Sequence, residues 1–103
     1  MNQRITEQLV LLQIEKLRTV SDPFAPILER MLVPPESIPV TLPPLKTGGG
    51  LVDVWLVAKK PDDGYRIVMS NDGTEFGLAS RGFSGDLVVL GWYGDLISAF
   101  QNI

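Results

Sequence analysis

Hydrophobic residues change their rhythm along this chain. Over residues 3–19, Ile5, Leu9 and Leu12 recur at i, i+4 and i+7, and Val10, Ile14 and Leu17 form an adjacent stripe at the same spacing. That period predicts an amphipathic helix with a wide apolar face. Arg4, Glu7, Gln8, Glu15 and Arg18 gather on the opposite side, and Leu11 sits among them. The face has two readings. It covers the sheet of its own molecule, or part of it, with Leu11, packs against a second copy or a partner.

Ser21-Asp22-Pro23 carries a helix-start signature, a capping side chain followed by proline in the first turn. Ile27, Leu28, Met31 and Leu32 then repeat with helical spacing, which predicts a short second helix over 23–32. Pro23-Phe24-Ala25-Pro26 also spells PxxP, but the helical spacing that follows favours the helix.

Between Val33 and Leu45 stand Pro34, Pro35, Pro39, Pro43 and Pro44. Proline fixes φ and pushes its predecessor towards extended geometry. Ile38, Val40 and Leu42 alternate with Pro39, Thr41 and Pro43, as in an extended strip laid over the core with its apolar side inward. Proline cannot donate to a ladder, so a strand here is expected only at a sheet edge. Gly48-Gly49-Gly50 supplies a joint, and no helix follows it to make a phosphate loop. The chain thus divides, within one expected domain, into a helical part (1–33), a connection (34–50), and a meander with a closing helix (51–103).

From Leu51 the pattern is that of strands. Leu51–Ala58 is apolar on both faces, Tyr65–Ser70 and Glu75–Ser80 alternate, and Asp86–Leu90 is a fourth apolar run. Lys59–Gly64, Asn71–Thr74 and Arg81–Gly85 are turns rich in Gly, Asp and Asn. Three short connections imply a four-stranded antiparallel β-meander. Gly91-Trp92-Tyr93-Gly94 turns a corner, Asp95 is a helix cap, and Leu96, Ala99, Phe100 and Ile103 give a short C-terminal helix its apolar side. The expected fold class is α+β.

Composition narrows the chemistry. The 103 residues hold 9 basic and 12 acidic side chains, a formal net charge of −3, with no run of like charge. That offers no electrostatic footprint for nucleic acid or an anionic membrane. There is no cysteine and no histidine. Thiolate catalysis, zinc–thiolate sites, iron–sulfur clusters, the usual neutral-pH general base and the commonest metal ligand are therefore absent. No catalytic residue, cofactor or metal site is expected. Asp62-Asp63-Gly64 and Asn71-Asp72-Gly73 read as turns, because neither continues into calcium-loop spacing. MNQRITEQ has no apolar segment after a basic one, and no apolar run approaches a membrane span, so a cytoplasmic protein is expected.

Six residues remain as binding candidates. Asp53 lies inside an apolar strand on the same face as Trp55 and Val57. It either pairs with Arg66 on the neighbouring strand or is exposed at an edge; the functional reading is a carboxyl with a raised pKa in a pocket, acting with Arg66 or Arg81 on a small molecule. Trp92 and Tyr93 either lock the closing helix to the sheet or contact a partner. Phe83 sits in a glycine-bounded loop, exposed or tucked in. Trp55, Val57 and Val68 leave the second sheet face in need of a cover, supplied by the proline strip, the closing helix or a second subunit. A homodimer or a bound protein partner is the expectation, and a non-catalytic interaction or regulatory module the expected function. In style, as a small acidic α+β domain with a tryptophan-rich sheet, the chain resembles bacterial immunity proteins that neutralise toxins. That resemblance, which no motif carries, implies inhibition through a protein contact.

Overall fold

A computed structural model describes residues 2–42, 50–60, 64–81 and 87–102. The elements run α1 (Gln3–Thr19), α2 (Ala25–Met31), β1 (Leu32–Leu42), β2 (Gly50–Lys59), β3 (Arg66–Met69), β4 (Phe76–Arg81), β5 (Leu87–Tyr93) and α3 (Leu96–Gln101). The fold is α+β.

Helix α1 has the bounds its periodicity predicts. Asn2 caps it, its Oδ1 accepting the Ile5 N–H at 2.9 Å. At the other end Ser21 takes φ 55°, the Ser21 N–H donates to the Arg18 carbonyl and the Asp22 N–H to the Leu17 carbonyl. That pair of bonds is a Schellman closure built on serine where glycine is usual. Ser21 therefore ends α1 and does not open α2. Asp22 Oδ1 accepts the Phe24 N–H at 2.8 Å in the turn ahead of α2, whose own cap position, Phe24, has no side-chain cap bond. Pro26, not Pro23, occupies the first turn of α2. The second helix, Ala25–Met31, is shorter than 23–32 at both ends: Pro23 and Phe24 form a turn ahead of it, and beyond it Pro34 biases Val33 to extended geometry. The chain passes from α2 into β1 without a loop, Leu32 already standing at φ −61°, ψ 138°.

The sheet is a closed five-stranded barrel in the order β1-β2-β3-β4-β5, and not the four-stranded meander. The proline-rich segment supplies the missing stave. Residues 34–42 are strand, not a connection or a strip over the core, and they pair on both sides. The prolines are accommodated by position. On the β2 side the register shifts between the Leu32↔Ala58 and Glu36↔Leu56 pairs, where Pro34 and Pro35 sit and cannot donate. On the β5 side the pairing registers at Thr41↔Val88, clear of all three prolines of β1. Four antiparallel steps bring β5 back alongside β1 in the same direction, so the closing pair is parallel. Pro43, Pro44, Gly48 and Gly49 lie outside the described residues, as do Asp62, Asp63 and Ile103.

Closure creates two cores. Val40, Val54, Val68, Ala79 and Val89, one from each strand, fill the barrel with Ile38, Leu56, Leu87 and Trp92 packed against them. The outer wall of β2, β3 and β4 contributes Val57, Ala58, Ile67, Met69 and Phe76 to a second cluster under the helices, with Val10, Ile14, Leu17, Ala25, Leu28, Met31, Leu96 and Ala99. β3 is buried on both faces for this reason. Two bulges keep the faces in phase. Val57 is the extra residue between Leu56↔Val68 and Ala58↔Ile67, and Leu90 the extra residue between Leu78↔Gly91 and Ala79↔Val89. The first lets Val57 and Ala58 both be buried; the second turns Leu90 outward.

The second sheet face thus needs no external cover. Val68 lines the barrel interior, while Val57 lies in the cluster under the helices with Trp55 packed against it, so the expectation of a partner loses the argument on which it first rested.

Candidate interaction surface

The register separates the charged candidates. β2 and β3 pair Trp55 with Met69 and Lys59 with Arg66. Asp53 lies beyond Trp55, so it stands about 20 Å along the ladder from Lys59 and Arg66. The Asp53–Arg66 pair expected on one face does not form, because an antiparallel hairpin brings the start of one strand to the end of the next. Asp53 is exposed. Arg66 is buried at the opposite end, its Nη1 donating to the Gly64 carbonyl. Arg81 is at the end that holds Arg66, since β4 sets Ala79 opposite Arg66. No arrangement of Asp53 with either arginine is available for shared chemistry.

The two aromatic candidates are half-buried and part company. Trp92 stands opposite Gly77 and packs on the barrel-interior cluster. Tyr93 stands opposite Phe76 and packs on the cluster beneath the helices. Both belong to β5, which pairs with β4 as far as Tyr93, so the chain does not turn a corner at Gly91; neighbouring residues of a strand face opposite sides, and this strand end fastens both cores. Phe83 lies outside the described residues.

Asp53 and Trp92 do meet at one end of the barrel. With Val52, Val54, Ser70, Asn71 and Asp72 they line an open depression. Its best-placed carboxylate is already engaged. Asp72 Oδ1 accepts the Ser70 hydroxyl at 2.7 Å, the Thr74 hydroxyl at 2.8 Å and the Thr74 N–H at 3.1 Å. Those bonds, the Ser70 one foremost, hold Asp72 below the ordinary carboxylate range and fix the β3–β4 turn. Among the described residues every buried side-chain nitrogen or oxygen has a partner, and no cluster of three or more His, Cys, Asp or Glu side chains is placed to hold a metal. Among the same described residues no helix is long and apolar enough to cross a membrane.

The surface feature that does stand out is on α1. Its buried residues are Thr6, Val10, Ile14 and Leu17, the second of the two apolar stripes. The first stripe is left outside: Ile5 is 44% and Leu12 52% exposed, and Val20, at the helix C-cap, is 72% exposed. Leu9 is half-buried between the two. At about 100° per residue, Ile5, Leu9, Leu12, Lys16 and Val20 fall on one line. Leu12, Glu15, Lys16, Thr19 and Val20 border an open groove along it. Leu11 is exposed on the other flank, beside Glu7, Val33 and Pro34. On α2, Ile27 is exposed, and Phe24 shares a tilted ring contact with Phe100 of α3 at 5.6 Å.

This surface was only half visible in the sequence. The width of the apolar face signalled more hydrophobic area than one contact consumes. Which stripe stays outside depends on how the barrel wall receives the helix. Val20, just past the helical repeat, gave no signal of its own. Scans against protein-family models, curated proteins and solved structures find no match to this chain.

Proposed function

We propose that this protein is a non-catalytic protein-interaction module, regulatory in the sense that binding is itself the activity, with its contact surface on the outer stripe of α1. The observation that carries this reading is the exposure of Ile5, Leu12 and Val20 on one line of one helix while both cores are closed without them. Scattered surface hydrophobes need no explanation; three in register on a rigid element do. The lack of cysteine and histidine supports the non-catalytic part. The filled barrel interior and the separation of Asp53 from Arg66 and Arg81 leave a carboxylate-dependent or small-molecule site without support. Such a module, like the immunity proteins it resembles in style, would act by occluding a partner's surface.

The test is site-directed photocrosslinking in the source cell. A photoreactive residue at position 12 or 20 is expected to give a discrete protein adduct that Ile5→Glu abolishes. The same probe at position 71, on the β3–β4 turn, is expected to give none. Absence of any adduct from positions 12 and 20 would sink the reading.

A further inference from the structure

We propose that the stripe's partner is a second copy of this chain, with the two α1 helices antiparallel and Leu12 on the two-fold axis. This rests on the reading of that stripe as an interaction surface and names its occupant. The spacing is the argument. Ile5 lies seven residues before Leu12 and Val20 eight after it, arms of about 10 and 12 Å along the helix. A two-fold axis at Leu12 pairs positions that sum to 24, so it sets Leu12 against itself and brings Ile5 within one residue of the second copy's Val20 at both ends. An isologous contact requires such a self-complementary patch.

The charges agree with that orientation. In the antiparallel pair Lys16 and Glu15 stand across from Gln8 and Leu9 of the second copy, so no like charges meet. A parallel pair would set Lys16 against Lys16 in the middle of the seam. α1 is 17 residues long, about 25 Å, and three exposed apolar side chains per copy make a small interface. The dimer is accordingly a reversible one, populated at concentrations of about 100 μM and dissociated near 1 μM.

Sedimentation equilibrium over that range is expected to show the monomer–dimer transition. Leu12→Glu should weaken it about a hundredfold or more, since two carboxylates would be buried face to face, with an unchanged far-ultraviolet spectrum. Leu90→Glu, an exposed residue on the barrel, should leave it untouched. Because the chain has no cysteine, single cysteines report geometry cleanly. Oxidised Leu12→Cys should form a covalent dimer. Ile5→Cys mixed with Val20→Cys should cross-link, whereas either alone should not. A wild-type monomer throughout the range overturns the proposal, as does preferential self-cross-linking of Ile5→Cys. A monomer whose position 12 photocrosslinks to a different protein also overturns it, while leaving the interaction module itself standing.

Discussion

Gly77 and Trp92 face each other across β4 and β5, and the side chain missing from one is the space taken by the other. A Cβ built on Gly77 would lie 3.0 Å from Trp92 Cζ3 and 3.1 Å from Val68 Cγ2. The valine belongs to a packed layer and the indole is wedged on the same cluster, so neither retreats cheaply. Gly77→Ala is expected to destabilise the fold by about 1–3 kcal/mol. Urea unfolding followed by tryptophan fluorescence measures this, and an unchanged midpoint would mean the indole is not seated there. In sequence, Gly77 was legible only as a small residue on the face opposite Phe76 and Leu78. Its role depends on a register that no spacing within one strand encodes. Asp53 is the converse example. An acid in an apolar run suggested a carboxylate either paired with Arg66 or exposed at an edge; β2 continues past the end of β3, and Asp53 is exposed on that overhang, away from Arg66.

Helices α1 and α2 are clipped together by Arg18 and Glu29. The guanidinium meets the carboxylate through two bonds, Nε to Oε1 and Nη2 to Oε2, each 2.6 Å. The hydrogen bond from Arg18, with its charge, holds Glu29 below its ordinary pKa. A carboxyl depressed in the folded state adds stability that is complete above its unfolded pKa. That contribution is lost as the pH falls through the folded value. Asp72 shifts in the same direction through its turn hydrogen bonds. The thermal midpoint should therefore fall on acidification below the ordinary carboxylate range. Glu29→Gln should reduce that fall and Asp72→Asn should reduce it separately. Both groups face solvent, so added salt should shrink the Glu29 part. A pH profile in Glu29→Gln identical to the parent would show that the clip does not form in solution. The helices themselves were legible because 3.6-residue periodicity and capping are local. The clip was not, because Arg18 and Glu29 meet only after the Ser21 reversal.

At the scale of the molecule, the decisive event is closure of the sheet. The β1–β5 seam registers at Thr41↔Val88, while the other four seams pair over several residues. It is thus the place where a barrel and an open meander differ. Thr41→Cys with Val88→Cys, in a chain otherwise free of cysteine, is expected to oxidise readily under native conditions but not in denaturant. The closed form should gain about 2–4 kcal/mol from the cross-link. Failure to oxidise in the native state would argue for an open sheet. Closure also redirected the functional argument. A sheet apolar on both faces appeared to need a partner, but a small barrel buries its second face against itself. The case for a partner then passed from the sheet to α1.

The sequence by itself determined the class of the molecule: an α+β chain with α1 at its observed bounds, four apolar strands from residue 51 onward, a capped closing helix, and no histidine or cysteine chemistry. Those features rest on local periods, caps and residue inventory. Tertiary structure alone decided that a proline-rich segment becomes a barrel stave, that Trp92 and Tyr93 divide between two cores, and that one stripe of α1 is buried while its neighbour is not. Each of these depends on pairing between segments far apart in the chain. A proline forbids a donor at one position, but whether a strand needs that donor is set by the strand beside it.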